Sequence, residues 1–279
     1  MKFNIYTELS YEVISPTTFI YNILATKSLT QEIIKESIFV SHDIDFEEFS
    51  LKKSKTRFVK LFAEKQGAFS IIYNAEVDVK FKVIGEEQLT KSIPIIELNH
   101  EVLPYLSPSR HCQSDKFYKF VSKEFGYLPT EFEKVKAIND WIFKNIDYVP
   151  GVTTSSTSAY DTFVQREGVC KDFAHLAIAL CRSIDIPSRY FTGYAFQLEP
   201  SDIHACYEAY IGGEWIVFDA TKLCALNGLV KIANAKDASE VAVASYFGNS
   251  YCTYMKVECK CLEEEFTPFV DNQIAGLAY

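Results

Sequence analysis

The sequence predicts an α+β protein in two parts, a β-rich, sandwich-like domain over residues 1–97 and a mixed domain over 98–279. Three observations carry this. Early on, Val77, Val79, Phe81 and Val83 alternate with Asp78, Lys80 and Lys82, the period of a half-buried strand. From Ser114 onward apolar residues recur at helical spacing, and beyond Ile203 a second strand pattern folds back at Gly212-Gly213. With 279 residues, 48% of them apolar and 15% aromatic, the chain can bury two cores.

Met1 to Glu8 alternates as a strand and lacks the apolar core of a secretory signal. Phe58–Phe62 and Phe69–Tyr73, parted by Gly67, are further strands. Ser28-Leu29-Thr30-Gln31 fits a helix capping box, although its β-branched surroundings support a strand equally. Gly85 to Pro94 ends the domain and forms a connector. In the second part, Ser114 is positioned to cap a helix bearing Phe117, Phe120, Val121 and Phe125, closed by Gly126. Thr130-Glu131-Phe132-Glu133 is a capping box opening a helix with Val135, Ile138, Trp141, Ile142 and Ile146 inward. The polar stretch Thr153–Ser158 is placed to rim a cleft.

Cys170 follows Gly168-Val169 and precedes the helical run Leu176, Ala177, Leu180, Cys181, Ile184, which Pro187 terminates. Unpaired N–H groups at a helix start favour the thiolate of a cysteine there, so Cys170 is the candidate nucleophile. A thiolate needs a base, and the base needs an orienting group. Ile203–Ile211 and Glu214–Asp219 form a hairpin around Gly212-Gly213, whose two-residue turn sets Cys206 opposite Asp219 and His204 opposite Thr221. His204 and Asp219 are then diagonal neighbours on one face, roughly 7–8 Å apart, which the two side chains can span. His175 is turned away from Cys170 on its helix, and Cys206 lacks a helix terminus.

The eight cysteines, in a chain of this size without a signal, are expected as free thiols. Cys259 and Cys261 have no companion pair at zinc spacing, so neither a metal nor a cofactor is expected. A net charge of −9 with no basic stripe argues against nucleic acid, and no apolar run reaches membrane length. These features lead to the expectation of a soluble, cytoplasmic protein and leave the oligomeric state open.

Gly168-Val169-Cys170-Lys171-Asp172-Phe173-Ala174-His175-Leu176, Ile186-Pro187-Ser188-Arg189-Tyr190, Gly193-Tyr194, His204, Trp215 and Phe218-Asp219-Ala220-Thr221 together resemble the transglutaminase-like superfamily, in its bacterial branch read as cysteine proteases. The similarity is close over 163–248, and Glu101–Arg110 resembles the entry to the core domain. Ala235-Lys236-Asp237 departs from an expected Gly-Arg-Asp, and Ala220 stands where many relatives have proline. The resemblance implies a papain-like transglutaminase core of helices on an antiparallel sheet, with Cys170 as nucleophile, His204 as base and Asp219 as orienting acid. It offers Tyr148 as an oxyanion donor beside the Cys170 N–H, with Gln165 as another choice. The implied reaction is hydrolysis of a peptide or protein amide through a thioester. Acyl transfer to an amine, a non-catalytic module that keeps the fold, and a zinc-binding protein are the alternatives.

Overall fold

The computed structural model describes residues 1–51, 54–269 and 275–279. Its first domain is a sandwich of two four-stranded antiparallel sheets. One sheet has the order Ser250–Cys261, Lys2–Val13, Gly67–Val79, Gln31–Val40; the other runs Ala244–Phe247, Thr17–Tyr21, Arg57–Ala63, Phe46–Ser50. Alternate residues point inward, and rings from the two sheets meet in the middle. Tyr11 and Phe69 each lie 5.0 Å from Phe19 in edge-to-face contact.

Two local expectations resolve toward strand. The Ser28–Gln31 signal leads into the strand Gln31–Val40, where Gln31 is buried. The alternation expected through Val83 breaks after Val79, and Lys82–Gly85 pairs instead with Ala275–Ala278.

Beyond the expected boundary at 97/98, the strands after residue 243 return to the sheets of the first domain. Ala244–Phe247 pairs with Thr17–Tyr21, and Ser250–Cys261 pairs with Lys2–Val13 from Phe3↔Cys261 to Val13↔Ser250. The C-terminal strands therefore complete both sheets of the sandwich, and the second domain is set within the first. Pairing over this distance leaves no local signature, because a strand's sequence records its own faces but not its neighbour.

The second domain is built on an antiparallel sheet of order Glu214–Phe218, Ile203–Ile211, Ser188–Ala195, Leu229–Ala235. The helix Cys170–Arg182 packs on it, burying Phe173, Leu176, Ala177 and Leu180. Helix Glu131–Asn145 begins with the expected capping box, Thr130 Oγ1 accepting from the Glu133 N–H at 3.2 Å. Ser114 instead opens one 3₁₀ turn, Ser114–Lys116, and the α-helix starts at Tyr118. The break falls at Phe117, whose ring is buried 5.3 Å from Phe163.

Buried polar contacts lock the domains together. The Gln31 side chain bonds both backbone groups of Lys231, donating at 2.8 Å and accepting at 2.7 Å. The Tyr194 hydroxyl accepts from Thr7 at 2.8 Å and donates to the Ile23 carbonyl at 2.5 Å. Across the sheet, Glu208 accepts from Arg189, from Lys231 Nζ at 3.1 Å and from Asn234 Nδ2 at 2.8 Å. Burial pushes the Lys231 ammonium down to about 8, while the Arg189 and Lys231 charges outweigh burial to hold Glu208 below its ordinary value. Replacing Lys231 with methionine removes one of two cations from a fully buried carboxylate. The variant is expected to lose about 3 kcal/mol of stability in urea unfolding. A loss under about 0.5 kcal/mol, the size of an ordinary surface change, would show that the network adds nothing.

Candidate active site

Cys170 is the first residue of its helix, and the approach to it is fixed from both sides. Asp172, fully buried, accepts from the Val169 N–H at 3.0 Å, from Thr153 Oγ1 at 2.8 Å and from Lys171 Nζ at 2.6 Å. Lys171 also reaches the Thr154 carbonyl at 3.0 Å, so the polar loop is tied to the helix start. A side chain at Gly168 would meet Asp172 Cβ at 2.8 Å, which accounts for the glycine two residues before the thiol. Cys170 itself is half-buried.

The hairpin takes the expected register: Tyr207↔Phe218, Glu208↔Val217, Ala209↔Ile216, Tyr210↔Trp215 and Ile211↔Glu214. Gly212 and Gly213 both have positive φ, 58° and 90°, as a two-residue turn matching strand twist demands. Beyond Phe218 the strand ends, but the parity holds. His204 Nε2 lies 3.0 Å from Asp219 Oδ2, with His204 1% and Asp219 5% exposed.

Asp219 is held firmly. Its Oδ1 accepts from the Thr221 N–H at 2.9 Å and from Thr221 Oγ1 at 2.7 Å, and Oδ2 accepts from the Leu223 N–H at 3.2 Å. Asn139, from the helix Glu131–Asn145, donates to the Asp219 carbonyl at 3.3 Å and accepts from Tyr207 Oη at 3.2 Å. The His204 imidazole and the hydrogen bonds from Thr221 outweigh burial and keep Asp219 below the usual carboxylate range. Burial alone would lower the His204 pKa. The neighbouring Cys206 and Asp219 reverse this and carry it well above its ordinary value, and hydrogen bonding to Cys170 adds to the rise. The imidazole thus stands between the Cys170 thiol and the Asp219 carboxylate.

Tyr148 belongs to the same place. It pairs with Gly168 in a short parallel bridge and is 40% exposed. Burial and the adjacent Cys170 raise its pKa, opposed by a hydrogen bond with the Cys170 backbone. Gln165, the other sequence choice, is exposed at the end of the helix Ala159–Gln165.

Residues 119–220 match the profile of the transglutaminase-like superfamily core, and residues 1–101 match that of the bacterial transglutaminase N-terminal domain. The crystal structure of a candidate cysteine protease from Cytophaga hutchinsonii is 52% identical in sequence and has a TM-score of 0.96, covering 100% of this chain and 97% of that one. The chain belongs to the transglutaminase-like superfamily. A protein of Mycobacterium leprae is 28% identical to it over 160 residues, 54% of this chain and 56% of that protein. One of Mycobacterium tuberculosis H37Rv is 39% identical over 71 residues, 25% of this chain and 23% of that protein. The chain spans about half the length, or less, of these curated relatives.

Within the transglutaminase-like core, His175 is an interior residue. It is 1% exposed, its Nε2 accepts from the Ala238 N–H at 3.1 Å, and its ring stacks on His111 at 4.9 Å. Burial and the nearby His111 lower its pKa to about 3. Glu208, four residues after His204 on the same strand, is committed to Arg189 and Lys231. Two contributors escaped sequence reasoning, Asp172 and Asn139, as did the bond from Thr153 to Asp172. The Val169-to-Asp172 spacing of a helix start could have found Asp172. The others act across the fold and leave no local signal.

Proposed function

We propose that this protein is a cysteine-dependent hydrolase of peptide or protein amides, working through a thioester on Cys170, His204 and Asp219. The observation that supports it best is the buried His204–Asp219 pair at 3.0 Å, set against a thiol at a helix start. In this reading the Cys170 thiolate attacks the amide carbon while His204 carries the proton. Charge developing on the carbonyl oxygen meets the Cys170 N–H and the Tyr148 hydroxyl. The tetrahedral intermediate collapses, the imidazolium protonates the departing amine, and a thioester remains. His204 then takes a proton from water, whose oxygen attacks the thioester and releases the acid and the thiol. Asp219 keeps the imidazole oriented and stabilises its cationic form. The sequence identity to the Cytophaga hutchinsonii protein favours hydrolysis over transfer to an amine. The retained His204–Asp219 pair weighs against a non-catalytic module. Eight free cysteines fit a reducing compartment such as the cytoplasm.

Labelling with iodoacetamide near neutral pH, read by mass mapping, tests the central claim. Cys170 is expected to label ahead of Cys252, which is exposed but lies on a strand with no helix terminus. A peptide aldehyde should protect Cys170 alone by forming a thiohemiacetal. Labelling of Cys252 before Cys170, or no protection by any aldehyde, would count against an activated nucleophile. Adding hydroxylamine to the amide assay then separates the outcomes, because a transferase diverts the thioester to a hydroxamate.

A further inference from the structure

Around the His204–Asp219 pair lie two thiols, Cys206 and Cys224, that the proposed reaction does not use. The ligating atoms of His204, Cys206, Asp219 and Cys224 all lie within 4.8 Å of one another. Cys224 Sγ is 3.7 Å from Asp219 Oδ2, the oxygen that also faces His204 Nε2. No sequence spacing announces this set, since Cys224 follows the hairpin and is delivered by the turn after Asp219. We propose that these four side chains form a binding site for one thiophilic divalent cation of the zinc class.

The donor set suits such an ion. Two sulfurs, one imidazole nitrogen and one carboxylate oxygen are the ligand types of tetrahedral zinc, whose bonds of about 2.0–2.3 Å place ligand atoms roughly 3.3–3.8 Å apart. The cluster needs to contract by about an ångström at its widest to reach that geometry. Three of the four residues are buried, so the site gives the dry, low-dielectric surroundings that strengthen thiolate coordination. Cys224 is only half-buried and its neighbour Leu223 is 37% exposed, which supplies an entry path. The Asp219 carboxylate is already oriented by Thr221, an outer contact of the kind that fixes metal ligands. Both cysteines coordinate as thiolates, so their protons leave to solvent as the ion binds.

The consequence for turnover rests on the reading of Cys170, His204 and Asp219 given above. An ion on His204 Nε2 takes the place of the proton shared with Asp219, and the imidazole can no longer cycle through its cationic form. The ion therefore acts as an inhibitor.

Binding is tested separately from activity, by titrating the full-length protein with cobalt(II) under anaerobic, phosphine-reduced conditions. The expected result is one equivalent bound, with the visible and sulfur-to-metal charge-transfer bands of a tetrahedral thiolate site, displaced by zinc. Cys170→Ala should keep those bands. Cys224→Ser, which leaves Cys206 as the one thiolate ligand, should lose about half of the charge-transfer intensity and weaken binding by more than the roughly 10–100-fold that loss of an outer contact costs. Cys206→Ser provides the same test if the first variant fails to fold. The proposal is overturned if no thiolate band appears, if Cys170→Ala removes it, or if both cysteine-to-serine variants retain it at full intensity. Stoichiometric zinc that binds without slowing amide cleavage would leave the site standing and contradict only its link to turnover.

Discussion

Cys170→Ala is expected to abolish amide cleavage, lowering turnover by roughly five to six orders of magnitude, because removing the nucleophile of such a unit costs about as much as removing the whole. The fold should hardly register the change. The thiol is half-buried, and the start of its helix is fixed by Asp172 rather than by the cysteine side chain. Urea unfolding and amide cleavage by the same purified variant give the two readings side by side. A stable variant retaining even a hundredth of the parent activity would rule out a Cys170 thioester. A variant lacking activity because it is unfolded would say nothing of chemistry, and the unfolding curve detects that case. Cys170→Ser, which keeps an oxygen nucleophile in nearly the same volume, should also be close to inactive, since a serine hydroxyl is far harder to ionise at this position.

Asp219→Asn is expected to lower turnover by about 10⁴-fold, the penalty seen when the orienting acid of a catalytic triad becomes an amide. The sign of the electrostatic change follows from the site. With the carboxylate gone, burial is opposed by fewer neighbours and the His204 pKa falls, so residual activity should follow a profile displaced toward lower pH. Stability suffers too. The carboxylate accepts from Thr221 twice, from Leu223 and from His204, and an amide has only one oxygen with which to replace it. One or more buried donors lose their acceptor, at about 1–3 kcal/mol. Near-parent turnover in this variant would remove Asp219 from the catalytic set.

The hairpin was legible because its signals are local. Gly212-Gly213 fixes a two-residue turn, strand period fixes the face, and together they place His204 beside Asp219 without knowledge of any other element. The Thr130–Glu133 capping box and the helix start at Cys170 were legible for the same reason. Where alternation was weak or a signal served two states, as at Ser28–Gln31, the strand won because Gly67–Val79 was waiting to pair with it. The C-terminal strands were illegible as members of the sandwich. Nothing in Ser250–Cys261 states that Lys2–Val13 will be its neighbour, and only the assembled sheet decides it. Cys224 was hidden likewise, since its partners are separated from it by a turn whose path the residues do not announce.

That closing of the first sheet by the last long strand also sets the order in which the molecule is made. As the chain leaves the ribosome, Lys2–Val13 pairs early with Gly67–Val79, yet its other edge stays bare until Ser250–Cys261 emerges. At about 5–20 residues per second that interval lasts roughly ten to forty seconds. The core sheet's last strand, Leu229–Ala235, is itself made only shortly before Ser250–Cys261. The nascent protein therefore carries a twelve-residue strand whose open edge invites foreign β-pairing, and its escape from aggregation depends on how soon translation delivers the closing strand.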